Sequence, residues 1–376
     1  MMTPETEEAL AEAVRAARDP FRIQGGGTRP VGRPVTGAAL GTAGLSGVRL
    51  YEPGALTMVA GAGTPLAEIE AALAAEGQRL AFEPMDHRGL LGTEGTPTIG
   101  GAAAANVSGP RRISVGACRD FLLGLRFVDG TGAVVKNGGR VMKNVTGYDL
   151  VKLMAGSHGT LGVLTEVSFK VLPAPAAAAT LTIRGLSDAA AVAVLARALG
   201  SPFEVTGAAH RPLGAAGAPE TLIRIEGFES SVAYRARRLS ALLGDAGAVA
   251  VETDPDRVAE TWTGVRDVAD FHGRAGDVWR LSVKPGDAPA LAERLGAEAL
   301  LYDWGGGLVW ALIPEGTDAR AALGTYAGHA TLVRASAETR ARIPPFQPEV
   351  PALARISAGL RAKFDPKGLF NPGLTG

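Results

Sequence analysis

Residues 23–30 read IQGGGTRP. Three consecutive glycines followed by a hydroxyl and a guanidinium call for a hard turn or a very close approach of the backbone to another group. Two more stretches share the character: residues 97–109, PTIGGAAAANVSG, and residues 156–163, GSHGTLGV. Successive backbone N–H groups unobstructed by Cβ atoms form concave nests that hold phosphate oxygens. One such loop is ordinary turn chemistry. Three in one half of a chain suit a long ligand that carries a pyrophosphate and flat rings.

The rest of the composition narrows the class. The chain has 376 residues, 46% hydrophobic and 20% charged, enough for two domains with their own cores. Lys plus Arg balances Asp plus Glu at 38 each, so no net field favours a nucleic acid. A single cysteine, Cys118, excludes an intrachain disulfide, an iron–sulfur cluster and a cysteine-rich zinc site, and no metal site is expected. It lies between a glycine turn and an apolar strand, which reads as a buried inert thiol. The acidic, amphipathic start predicts a helix capped by Thr3 with Pro4 at its first position, not a signal peptide. No apolar run nears the roughly 18 residues of a membrane span. A soluble, cytoplasmic protein is the expectation, peripheral at the inner membrane only through partners.

Organisation changes near residue 173. Before it, short apolar strands are expected at 47–53, 56–62, 122–130 and 160–172, with a helix at 65–76 capped by Thr64 and stopped by Gly77. After LPAPAAAAT the rhythm becomes strand 179–184, helix 187–199, strands 203–208 and 221–227, helix 230–243 and strand 247–252. A connecting helix at 256–269 precedes a second round: strand 278–284, helix 287–296, strands 299–303 and 307–313, helix 317–326 and strand 329–335. Each round is a split βαβ unit. The expected fold is α+β: residues 1–173 bind the ligand, 174–340 form a cap of two tandem split βαβ units, and 341–376 pack back on the first domain.

A dinucleotide fingerprint is suggested by Gly61-x-Gly63 after a strand and before a helix, with Glu83 about 20 residues on. Leu66 at the third glycine position argues for an ordinary strand–turn–helix instead. Tyr148 and Asp149 read as loop-fixing residues, His87 as a loop residue near the second glycine stretch, and WGGG (304–307) as a hairpin whose tryptophan faces a cavity or a partner. From the residues alone, the reading stops at an enzyme that binds phosphates and rings through several loops.

The ordered set GGGT, TIGG-x4-N-x-SG, KN-x-TGYDL (143–150), GS-x-GTLGV-x-TE (156–166) and FDPKG-x-FNPG (364–373) resembles the FAD-binding oxidoreductases of the vanillyl-alcohol oxidase type, also called PCMH-type. The run from Glu83 to Val135 and the run from Gly138 to Glu166 are similar to the smaller FAD-binding subunit of the bacterial glycolate oxidase complex. The resemblance implies FAD, a cap over it, a C-terminal segment returning to the flavin, and companions in the form of a larger FAD subunit and an iron–sulfur subunit. It implies oxidation of glycolate, a 2-hydroxy acid, to glyoxylate with electrons passed to a partner. Two alternatives stay open: a stand-alone dehydrogenase for D-lactate or related acids, and a non-catalytic subunit that holds FAD as scaffold or electron relay.

By position, the resemblance assigns the pyrophosphate to Ile23, Gln24, Gly25, Gly26, Gly27, Thr28 and Arg29. The segment 92–98 and Thr98, Ile99, Gly100 and Gly101, then Ala105, Asn106 and Ser108, would line the path of flavin and adenosine. Gly159, Thr160, Leu161, Gly162 and Val163 would run along the cofactor, and Asn371 would reach the isoalloxazine edge. Relatives that tether flavin use a histidine in the first loop. Thr28 and Arg29 stand there, so FAD is expected without a covalent bond. The late histidine-rich motif of hydroxy-acid dehydrogenases is reduced to HGRAGD (272–277), which leaves His272 structural and the catalytic base unassigned.

Overall fold

The computed structural model describes residues 1–141, 147–214 and 217–375. In the N-terminal part, five strands form one antiparallel sheet in the order Val48–Glu52, Thr57–Gly61, Val163–Lys170, Leu122–Val128, Val134–Gly138. Beside it lies a two-stranded parallel sheet, Phe21–Gln24 with Ala38–Gly41. Its first strand runs directly into the glycine triplet. Phe21 also bridges to Phe370, so the C-terminal segment joins this sheet.

The second part is an eight-stranded antiparallel sheet. Its order is Val249–Glu252, Ala177–Arg184, Glu220–Gly227, Val205–Arg211, Ala299–Asp303, Leu308–Ile313, Asp277–Val283, Gly328–Arg334. Each half places its fourth strand beside its first and its third beside its second. The halves meet through their second strands, at His210 opposite Tyr302. Helices Asp188–Leu199 and Glu229–Leu243 cover one face of the first half, and Ala288–Leu295 and Ala319–Leu323 the same face of the second.

The opposite face meets the N-terminal part. In Leu308–Ile313, Val309, Ala311 and Ile313 pack under the helices, while Leu308, Trp310 and Leu312 join the core built around Phe82, Ile99 and Phe127. Both faces are covered, so the strand reads as the unbroken apolar run LVWALI, without the alternation of a half-exposed strand. Buried ion pairs close the same interface. The Glu83 carboxylate accepts from Arg111 at 3.0 Å and from both terminal nitrogens of Arg224 at 2.9 Å. Glu226 accepts from Arg79 at 2.9 Å and is paired with Arg111. Burial opposes ionisation of these acids, but the arginines prevail: Glu83 lies below the ordinary carboxylate range and Glu226 falls to about 2.

Two helix starts differ from the sequence expectation. The first helix is Glu7–Ala16, and Thr6, not Thr3, caps it by accepting from the Ala9 N–H at 3.1 Å. Residues before it are extended because Met2 pairs with Leu40. The helix Leu66–Ala75 has no side-chain cap, since the Thr64 hydroxyl donates to Gly61 O and accepts from the Gly47 N–H. Gly61 and Gly63 sit where a Cβ would lie 2.3 and 2.1 Å from the carbonyls of Leu45 and Thr42, so they serve close packing in place of a dinucleotide turn. Lys143 to Thr146 of the KN-x-TGYDL stretch lie outside the described residues.

Candidate functional site

The three glycine loops and the returning tail enclose a cavity of about 490 Å³. The first loop leaves the strand Phe21–Gln24 and turns at Gly25–Gly27. A Cβ on Gly26 would stand 1.6 Å from the Thr96 carbonyl oxygen, so this glycine is demanded by contact with the second loop. The N–H groups of Gly25 through Arg29 donate to no atom among the described residues, and Pro30 ends the run. A row of unspent amides at a cavity wall is an anion nest.

The second loop spends its amides differently. Ile99 donates to Thr64 O at 3.0 Å, Gly100 to Ala62 O at 2.8 Å, and Gly101 to the Thr98 hydroxyl that caps the helix Ile99–Ala104. Its role in the cavity is therefore shape, a wall thin enough for a flat ligand. The third loop is pinned by the tail: Asn371 Nδ2 donates to His158 O at 3.0 Å, while its Oδ1 accepts from the Ile23 N–H at 2.8 Å. One amide side chain thus joins the first loop's strand to the third loop.

Charge matches the nest. Arg22, Arg29, Arg33 and Arg340 line the cavity, and no carboxylate does among the described residues. The buried Nε atoms of Arg33 and Arg340 have no partner. Arg29 Nε donates to His87 Nε2 at 3.1 Å, which leaves the proton of the neutral ring on Nδ1, facing Met85 O at 3.2 Å. Burial lowers Arg29 to about 10. Burial, then the Arg29 charge, holds His87 well below its ordinary value and brings His158 down to about 3. Both imidazoles are neutral at pH 7 and the cavity remains positive. Free amide donors and arginines without a carboxylate beside them fit the pyrophosphate of FAD.

Of the residues assigned from sequence, Ile23 to Arg29, Thr98, Gly100, Gly101, Ala105, Gly159, Gly162 and Asn371 line this cavity. Ile99, Leu161 and Val163 are instead core residues. Asn106 accepts from the Arg119 N–H, Ser108 from the Cys118 N–H, and the Thr160 hydroxyl donates to Ser157 O, so these three serve the loops themselves. Within 92–98 only Pro97 and Thr98 reach the cavity. Cys118 is buried and its thiol is pushed up to about 12. Arg33 and Arg340 were missed by the sequence reading: isolated arginines outside a glycine loop carry no local signal, and they meet only through the fold.

Beyond the cavity, the turn 304–307 of the eight-stranded sheet comes down on the N-terminal part. The Trp304 indole N–H donates to Gly109 O at 3.1 Å. The guanidinium carbons of Arg112 and Arg280 lie 4.7 and 5.1 Å from the Trp304 ring centroid. Of the five histidines, His210 is bonded to Thr221 and Asp188, His272 to Asp267 O, and His87 to Arg29. The rings of His158 and His329 make no hydrogen bond among the described residues. His329 is lowered by burial and then by the nearby charges of Arg280 and Arg112.

Residues 1–138 match the FAD binding domain family. Glycolate oxidase subunit GlcE of Escherichia coli (strain K12) is 38% identical over 372 residues, covering 97% of this chain and 96% of that protein. Glycolate oxidase subunit GlcD of Bacillus subtilis (strain 168) is 43% identical over 84 residues, 22% of this chain and 18% of that one. The solved structure of p-cresol methylhydroxylase with substrate bound superposes with a TM-score of 0.71 over 100% of this chain and 88% of that one, at 13% identity, and so shares the mixed α+β fold. The chain belongs to the glycolate oxidase subunit GlcE family of FAD-linked oxidoreductases.

Proposed function

We propose that this chain holds FAD without a covalent bond, as one subunit of an enzyme that oxidises glycolate to glyoxylate and passes the electrons to a partner. The observation that carries the reading is the run of unspent N–H groups from Gly25 to Arg29 on a carboxylate-free cavity. FAD supplies the hydride acceptor. Residues 1–173 cradle it, 174–340 cap it, and 341–376 return to it through Asn371. The first loop, Arg33 and Arg340 hold the pyrophosphate, while Ala105, Gly159 and Gly162 give room for the rings. Thr28 and Arg29 offer no imidazole for a tether. With Cys118 alone and buried, the chain has no ligands for an iron–sulfur relay, so a second subunit takes the electrons.

A hydroxy acid must also lose its hydroxyl proton. His158, at about 3, is too weak a base near neutral pH. His329 projects from Gly328–Arg334 on the face that meets the N-terminal part and keeps both ring nitrogens free of partners among the described residues. It is our choice for the proton acceptor. Anaerobic glycolate should bleach the flavin absorbance of the purified, FAD-loaded chain. In His329→Gln, bleaching should slow by about 10²-fold or more while the oxidised spectrum persists. Flavin that stays oxidised in the wild type, with glycolate and with D-lactate, would favour the electron-relay reading. Failure to take up FAD would remove the proposal altogether.

A further inference from the structure

Three arginines at the domain contact, the buried Arg111 and Arg224 and the half-buried Arg79, are ion-paired with Glu83 and Glu226. Arg112 and Arg280, on the same contact, are not. Neither guanidinium makes a hydrogen bond or an ion pair with any described residue. Both instead face the Trp304 ring, Arg112 from the short helix Arg112–Val115 of the N-terminal part and Arg280 from the strand Asp277–Val283. Arg280 lies a further 5.9 Å from the ring of Trp310, its cross-strand partner.

Burial, and then the charges of Arg112 and Arg29, lowers Arg280 to about 10. The carboxylate beside it gives little relief. Asp303 is committed to the Trp304 N–H at 2.7 Å, and burial raises it to about 7. An aromatic face attracts a half-buried guanidinium, but it accepts no hydrogen bonds. What two guanidinium groups on one indole lack is an acceptor with oxygens to share.

We propose that Arg112 and Arg280, held on Trp304 where the cap meets the N-terminal part, bind the carboxylate of the small acid this protein acts on. The planar fork of each guanidinium matches a carboxylate, and the two come from opposite sides of the contact, so the acid is grasped by both parts of the molecule. The choice of a carboxylate over other anions rests on the 2-hydroxy-acid reading above.

Oxalate, which has no hydride to give, is the probe. Titrated calorimetrically into the full-length, FAD-loaded chain, it should bind the wild type and perturb tryptophan emission. Arg280→Gln and Arg112→Gln should each weaken it at least tenfold with FAD content unchanged. Arg280→Lys, which keeps the charge but not the fork and guards against a folding defect, should lose a smaller part. Arg197→Gln, at an exposed pair with Asp245, controls for net charge and should bind oxalate as the wild type does. Oxalate affinity within twofold of wild type in both glutamine variants overturns the proposal, as does inorganic phosphate competing as strongly as oxalate. If glycolate fails to reduce the flavin while oxalate still depends on both arginines, the dehydrogenase reading falls and the subsite stands. If glycolate reduces the flavin of both glutamine variants at an unaltered KM and oxalate ignores the arginines, the subsite falls and that reading stands.

Discussion

Asn371 illustrates how much one side chain decides. It sits in the left-handed region at φ 44, is buried, and spends both ends of its amide on backbone groups, one in the strand Phe21–Gln24 and one in the third loop. Alanine would orphan the Ile23 N–H and the His158 carbonyl and strain the backbone. Asn371→Ala is expected to cost about 1–3 kcal/mol in urea unfolding and to weaken FAD binding about tenfold or more in a fluorescence titration. Asn371→Gly relieves only the strain, so it should recover no more than about 1 kcal/mol of that loss. The docking of the tail was legible from its apolar anchors Phe364 and Phe370, whereas Asn371 was singled out only by the resemblance of FNPG to the family's tail. Arg33, Arg340, Arg112 and Arg280 were not, because lacking a carboxylate partner is a property of the assembled neighbourhood. His329 was hidden for the same reason: nothing around GHATLVR marks a strand whose face is turned toward two arginines.

At the level of elements, the sheet and the ion pairs beneath it hold the two parts together. Arg111 bridges Glu83 in the N-terminal part and Glu226 in the strand Glu220–Gly227. Arg111→Met leaves buried carboxylates underpaired and should cost about 3–5 kcal/mol, whereas Asp245→Asn, breaking the exposed pair with Arg197, should leave the midpoint nearly unchanged. Comparing the two denaturation midpoints checks the contrast. Near-equal losses would mean the interface is held by its apolar contacts alone. The strands of this region were readable because apolar runs end at clear turns: 299–303 was expected and Ala299–Asp303 is found. Ends governed by tertiary contact were harder. The helix expected at 317–326 is only Ala319–Leu323, cut at Gly324 where φ is +66. Thr3 and Thr64 looked like caps because the sequence does not show that each segment's polar groups are engaged elsewhere.

For the whole molecule, the depressed groups set the response to acid. His87 and His158 titrate near 6.5 when unfolded and far lower when folded, so the unfolded chain takes up protons first and stability falls as pH drops below about 6.5. Glu83 and Glu226 add a further loss from about 4.5 downward, complete as pH passes the folded value of about 2 for Glu226. Asp303 works in the opposite sense, since its raised value favours the folded state as pH falls from about 7 toward 3.8. Two histidines and two glutamates outweigh it. The melting temperature of the FAD-free chain should decline from pH 6.5 to 4 and drop more steeply below 4.5. A flat profile over that range would show that these groups are not held in the protonation states their burial implies. The tail contact carries a different consequence. Ile23 and Asn371 are 348 residues apart in sequence, so the cradle cannot close until Asn371 has left the ribosomal exit tunnel. A nascent chain stalled before residue 371 would therefore emerge with this cavity still open.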